Sequence, residues 1–149
     1  MKVDGEFTFP DATSETVWNW LTDSRQISTC LPGCEELEEI EENRYRMNLR
    51  VGIGSIRNSY TGTIHIHDLT PHSEYSLTVT GTGGGGFVKG TGKIRLEAQA
   101  TATRVTYTGD IAIGGRIASV GQRLVSGATR MVIEQFFKCV ASKLSDTSA

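Results

Sequence analysis

His65 and His67 stand two residues apart with His72 close behind, and Cys30 and Cys34 bracket a Leu-Pro-Gly segment. Two histidines at i and i+2 on one strand face can hold a metal ion. In the run Ile64-His65-Ile66-His67, however, the isoleucines occupy one face and the histidines the other, which is expected to be wet. No carboxylate or cysteine stands where a third ligand is needed, so these read as exposed strand histidines. Cys30 and Cys34 lack the second cysteine pair that would complete a tetrahedral zinc site. Nothing in the sequence lowers their pKa, and they read as small apolar residues beside a turn.

Two other patterns fall short of chemistry. The glycine-rich stretch from Gly81 to Gly92 contains Lys89, but a phosphate loop needs Gly-Lys-Ser/Thr opening a helix after a parallel strand. Here Lys89 is followed by Gly90 and by more strand pattern, so the stretch reads as a hairpin connection with a bulge. No Gly-x-Ser-x-Gly elbow occurs. Tyr107 and Asp110 have opposite strand parity and do not make an acid–base pair. No catalytic residue, metal site or cofactor is expected.

The elements that position these side chains are mostly strands. Val3, Gly5, Phe7 and Phe9 alternate with polar residues up to Pro10. Thr13 is the expected N-cap of a short helix with Val17, Trp18 and Leu21 as its buried side, and a second short helix runs from about Ser24 to Cys30. Six strands follow: Glu35 to Glu42, Arg44 to Ile53, Ile56 to Leu69, Glu74 to Thr82, Phe87 to Ala100 and Arg104 to Ile113. Their period-two alternation predicts an antiparallel sheet with one wet and one dry face.

The inward phase contains Tyr45, Met47 and Leu49, then Tyr60 and Ile64, with Val51 and Ile53 also on the dry side of their strand. Tyr75, Leu77 and Val79 follow, and then Tyr107 and Ile111. Phe87 has the wrong parity for this face unless a bulge turns it. Gly62, Gly81, Gly90, Gly92 and Gly109 share the inward phase, where missing side chains mark curvature, free space or both.

Residues Arg116 to Leu144 read as one long helix, with Ile117, Leu124, Ala128 and Met131 on its apolar face. Arg116, Arg123 and Arg130 recur every seven residues on another face as a basic stripe. The expected order is therefore β-α-α-β₆-α, an α+β arrangement in which a curved antiparallel sheet wraps a long C-terminal helix.

At 149 residues the chain is expected to be one domain spanning 1–149. A net charge of -2 and a pI near 5.9 argue against nucleic acid held by bulk electrostatics. The segment from Cys34 to Asn43 holds six glutamates and no base, which reads as a solvated edge strand. No signal-peptide core or transmembrane-length apolar run is present, so the three cysteines are expected to be reduced thiols of a cytoplasmic protein.

The segments Cys30-Leu-Pro-Gly-Cys34-Glu, Val17-Trp18 with Leu21, Gly86-Phe-Val-Lys-Gly90 with Lys93-Ile94, and Gly114 through Leu124 resemble the carbon monoxide dehydrogenase CoxG family over essentially the whole chain. That family belongs to the START-related (SRPBCC) superfamily, whose birch-pollen-allergen-like helix-grip fold agrees with the order above. The resemblance implies a non-enzymatic accessory protein with a hydrophobic cavity for a lipid- or quinone-like molecule, associated with a molybdenum hydroxylase or carbon monoxide dehydrogenase.

It also implies that the inward set lines a ligand cavity: Tyr45, Met47, Leu49, Tyr60, Ile64, Tyr75, Leu77, Val79, Tyr107 and Ile111, with Leu124, Ala128 and Met131 from the helix. Leu31-Pro32-Gly33 and the Gly83 to Gly86 hairpin are the lid candidates. Arg116, Arg123 and Arg130 become contacts for a partner enzyme or for anionic headgroups at the inner face of a membrane. Family members often continue into a membrane-binding tail, whereas this sequence stops at Ala149, so at most transient membrane contact is expected. The other readings are a docking module without cargo and a polyketide cyclase or dehydratase-like enzyme.

Overall fold

The computed structural model describes the backbone of residues 1–53 and 56–147. Alternation from Lys2 to Pro10 produces β1, and Asp11, at φ 57°, turns the chain out of the sheet. Thr13 caps α1 (Ser14–Leu21) by accepting a hydrogen bond from the Thr16 amide at 3.2 Å. Asp23 caps α2 (Ser24–Cys30) in the same way through the Arg25 amide at 2.9 Å.

Six strands then run without interruption by helix: β2 (Cys34–Glu41), β3 (Arg44–Ile53), β4 (Ile56–Thr70), β5 (Glu74–Gly83), β6 (Gly86–Ala98) and β7 (Ala102–Gly114). With β1 they form one antiparallel sheet in the order β1-β7-β6-β5-β4-β3-β2. The expected side chains of Val51 and Ile53 lie outside the described residues. The acidic strand β2 occupies a sheet edge, and its wet face pairs with β3 through Glu38–Arg46 and Glu36–Asn48. Such exposed pairs contribute about 0–1 kcal/mol each, and their main effect is to keep a lone edge polar.

Glycines allow close approach within the sheet in one region and leave room in another. A side chain at Gly62 would run into the backbone carbonyl of Thr80, and the ring of Tyr107 lies over Gly5. A β-carbon at Gly81, by contrast, would meet nothing within 4 Å.

The C-terminal segment departs from the expected single helix. A 3₁₀ turn (Arg116–Val120) comes first, Gly121 sits at φ 94°, and α3 (Gln122–Thr147) starts after it. A positive φ breaks the hydrogen-bond ladder, and the tighter 3₁₀ turn rotates residues by a different angle, so helical phase is not carried across. Val125 is consequently buried at 3% exposure, whereas Leu124 and Met131 lie on the outside at 50% and 59%. Arg116 belongs to the 3₁₀ turn and leaves the seven-residue stripe, which reduces to Arg123 and Arg130 on α3.

The main core joins Phe9, Val17, Trp18 and Leu21 to Phe137, Val140 and Leu144. Phe137 is its pivot, with ring centroids 5.6 Å from Phe7, 5.9 Å from Phe9 and 5.9 Å from Tyr107. A smaller cluster, Tyr60, Ile117 and Val125, closes the other end. The expectation of reduced thiols also fails: Cys30 and Cys139 form a disulfide with Cα atoms 5.4 Å apart, and Cys34 is free. The partner of Cys30 was hidden because it lies 109 residues away on another element.

Candidate functional site

Between the two clusters, α3 does not fill the concave face of the sheet. A cavity of about 410 Å³ remains there, a size typical of small-molecule sites. Its floor is the dry phase of the strands: Met47 and Leu49 from β3, Tyr60, Gly62 and Ile64 from β4, Tyr75, Leu77, Val79 and Gly81 from β5, and Tyr107 and Ile111 from β7. Its roof is the inner face of α3, from Val125, Ala128 and Thr129 to Ile133 and Phe136. The void exists partly because small residues stand where large ones would meet: Gly81 on β5 pairs in register with Gly62 on β4, and Leu77 with Gly92 on β6.

The structure thus brings Met47, Leu49, Tyr60, Ile64, Tyr75, Leu77, Val79, Tyr107, Ile111 and Ala128 together around one space. Tyr45 is absent from the lining and packs in the main core at 4% exposure. Leu124 and Met131 are on the solvent side of α3, an outcome of the phase break at Gly121. Val125, Thr129, Val132, Ile133 and Phe136 take the places expected of them. Their spacing, three and four residues apart, carried the signal once the helix is begun at Gln122 rather than Arg116. Leu21, Ile27 and Leu31, from α1, α2 and the turn after it, were also missed as lining.

The lining is almost entirely apolar, and apart from Lys93 its polar side chains are uncharged hydroxyls. Burial pushes the Tyr75 phenol well above its ordinary range. Burial also raises Tyr107, opposed by Arg130 and reinforced by Asp4 and Glu134, so this hydroxyl stands near the charged border of β1 and α3. Tyr45 is raised mainly by burial, with Glu39, Asp23 and Glu42 adding to it. Lys93 is the sole charged residue among the described lining, and its amine pairs with Glu74 at 3.1 Å on the wet face.

Two borders of the cavity are turns. At the first, Leu31 faces the interior and Gly33, at φ 77°, is held by the Arg50 amide donating to its carbonyl at 2.9 Å. At the second, the Gly85 carbonyl accepts from the Ile117 amide at 2.8 Å and Gly86 adopts φ 122°, tying the β5–β6 hairpin to the 3₁₀ turn. A shallow surface depression of about 500 Å³ at the β1–β7 border shares Gly90, Thr91, Ile111 and Ile113 with the cavity.

The histidines lie apart from all of this. His67 bridges Asp68 at 2.8 Å and Thr78 at 3.0 Å, and its ring is 5.0 Å from that of His65. Among the described residues no three histidine, cysteine or acidic side chains are grouped so as to hold a metal. Phe87 lies across Gly114 and is 47% exposed, so no bulge turns it inward.

The model of the carbon monoxide dehydrogenase CoxG family matches residues 5–145. The chain belongs to the CoxG family. No curated protein matches it. Among solved structures, a conserved protein from Geobacillus kaustophilus is 34% identical with a TM-score of 0.94, covering 99% of this chain and 97% of that one. The Zhui aromatase/cyclase from Streptomyces sp. R1128 superposes with a TM-score of 0.74 at 16% identity, covering 100% and 96%. A START superfamily protein from Mycobacterium smegmatis does so at 0.73 and 10% identity, covering 98% of each chain. This CoxG-family chain thus has the START-like (SRPBCC) helix-grip fold. Among its described residues no helix is long and apolar enough to cross a membrane.

Proposed function

We propose that this chain is a non-enzymatic carrier that holds a hydrophobic, lipid- or quinone-like molecule between its sheet and α3. In this reading it serves a molybdenum hydroxylase of the carbon monoxide dehydrogenase type. The observation that carries the reading is the apolar space of about 410 Å³, with Gly81 on its lining where a β-carbon would still meet nothing within 4 Å. Burying apolar ligand surface there is worth about 25 cal/mol per Å² before ordering costs. The partner class comes from the name of the family. The Leu31-Pro32-Gly33 turn and the β5–β6 hairpin are the segments that would move to admit cargo.

An enzyme of the cyclase type needs a proton donor and acceptor facing its substrate. The described lining supplies hydroxyls but no histidine or carboxylate, which favours a carrier. Arg116, Arg123 and Arg130 are exposed and make no ion pair among the described residues, and this favours a docking role beside the carrier role. They would meet an acidic patch on the partner enzyme or anionic headgroups at the inner face of a membrane, with the protein otherwise cytoplasmic.

The test is native mass spectrometry of the protein mixed with a membrane lipid and quinone extract, beside a Gly81→Leu variant whose side chain enters the cavity. A discrete adduct on the wild type that the variant loses is expected. An empty wild-type spectrum with the fold intact would overturn the carrier reading. Charge reversal at Arg123 and Arg130 should abolish enzyme pairing while leaving the adduct in place.

A further inference from the structure

Among the described residues, two buried tyrosines of the cavity, Tyr75 and Tyr60, have hydroxyls without a hydrogen-bond partner, and Tyr75 is the more deeply buried. Tyr75 is 4% exposed and lines the space from β5. Its ring is held by apolar contacts: Trp18 meets it edge to face at 5.5 Å between centroids, and Ile94 is its register partner on β6. Among the described residues its hydroxyl makes no hydrogen bond. Among the described residues the fully sealed side-chain polar atom without a partner is Arg104 Nε; the Tyr75 hydroxyl is not sealed in this way, and its residue lines the cavity. A buried donor with no acceptor is costly, and polar groups so placed are commonly satisfied by what binds beside them.

We propose that the Tyr75 hydroxyl is the polar anchor of the cargo and selects uncharged molecules that present a carbonyl oxygen, as in a ketone, ester or quinone, to the α1 end of the cavity. This rests on the carrier reading and sharpens it. Selection against anions follows from the same lining. Among the described residues no free cation lines the interior, since the Lys93 amine is engaged by Glu74 at 3.1 Å, so a buried carboxylate would find no counter-charge from them. Burial keeps the phenol protonated, and it therefore remains a donor. Tyr107 is a poorer anchor because it sits at the charged border near Arg130. Tyr60, in the smaller cluster, is the rival at the opposite end.

The probes are 2-tridecanone, tridecane and tridecanoate, titrated into wild type, Tyr75→Phe and Tyr60→Phe with displacement of a fluorescent apolar dye as the readout. Wild type is expected to bind the ketone about tenfold more tightly than the alkane, the value of one net hydrogen bond, and to bind tridecanoate weakest. Tyr75→Phe should bring the ketone-to-alkane ratio near one without weakening alkane binding, and Tyr60→Phe should leave the ratio intact. An infrared spectrum of carbonyl-labelled ketone bound to wild type, which needs no variant, should show the stretch moved to lower frequency.

A ketone preference that survives in Tyr75→Phe, an unshifted carbonyl stretch, or tridecanoate binding as tightly as the ketone would overturn the assignment of Tyr75. If alkane and ketone bind equally to wild type, the anchor falls while the carrier reading stands. If none of the three probes binds, the carrier reading itself falls, and the anchor with it.

Discussion

Cys30 and Cys139 are covalently joined across 109 residues of sequence, fastening the last turn of α2 to the C-terminal half of α3. Leu31, the next residue, lines the cavity. The bond therefore ties the end of α2, just before a lining residue, to the helix that roofs the cavity. A disulfide in such a position belongs to an oxidising compartment or to one of the intracellular proteins that retain disulfides.

Closing so long a loop restrains the unfolded chain, and removing the bond should lower stability by about 2–4 kcal/mol. Cys139→Ser and treatment of wild type with a reductant are expected to reduce the denaturation midpoint equally. Quantitative alkylation of the native oxidised protein should label Cys34 alone. Labelling of all three cysteines without reductant would show that the bond does not form.

Cys34 itself should react slowly. Burial raises its thiol pKa, so less thiolate is present at neutral pH than for a free cysteine. The same shift makes the protonated thiol the form the fold favours. Any stability it contributes is present below the unfolded pKa and declines as pH rises through the higher folded value. The alkylation rate of Cys34 should trail that of a model peptide at pH 7.5 and approach it only at higher pH.

Gly81 and Gly62 face each other in register yet should respond oppositely to added bulk. At Gly81 a β-carbon meets open space, so Gly81→Ala should be neutral or stabilising by up to about 1 kcal/mol through the unfolded chain. At Gly62 the Thr80 backbone stands in the way, and Gly62→Ala should destabilise by about 1–3 kcal/mol. Thermal denaturation of the two variants checks this. Equal effects would mean that the two positions are not packed as described.

The break before α3 also has a direct test. Gly121 is at φ 94°, where an L side chain is strained, although a β-carbon there would touch nothing within 4 Å. Gly121→Ala should therefore cost roughly 1–3 kcal/mol from backbone strain alone. Val125→Ala should also destabilise, by about 1–3 kcal/mol, while Leu124→Gln stays within about 0.5 kcal/mol of wild type. A neutral Gly121→Ala with a costly Leu124→Gln would restore the single continuous helix.

Much of this architecture was readable in the residues themselves. Alternation placed Met47, Tyr60, Tyr75 and Tyr107 on the inner face because successive strand side chains point in opposite directions whatever lies elsewhere. Thr13 announced its helix because an N-cap acts over three residues, and six glutamates marked an edge because a central strand rarely carries such charge. The phase of α3 was not readable. A glycine in a helical pattern does not say whether it adopts positive φ, and Gly127 lies within α3 while Gly121 interrupts the helical run.

What the sequence determined by itself was therefore local and periodic: the strands and their dry face, the two short helices with the Thr13 cap of the first, and the order that places one long helix last. Only the tertiary structure decided that Cys30 meets Cys139, that Leu124 and Met131 face outward, and that the inward residues surround a space rather than close on one another. The reason is physical. Periodicity reports which side of an element avoids water, but the distance between two such sides depends on sheet curvature and on where α3 comes to rest. Glycines at Gly62 and Gly81, a backbone break at Gly121 and contacts between residues far apart in the chain set that distance.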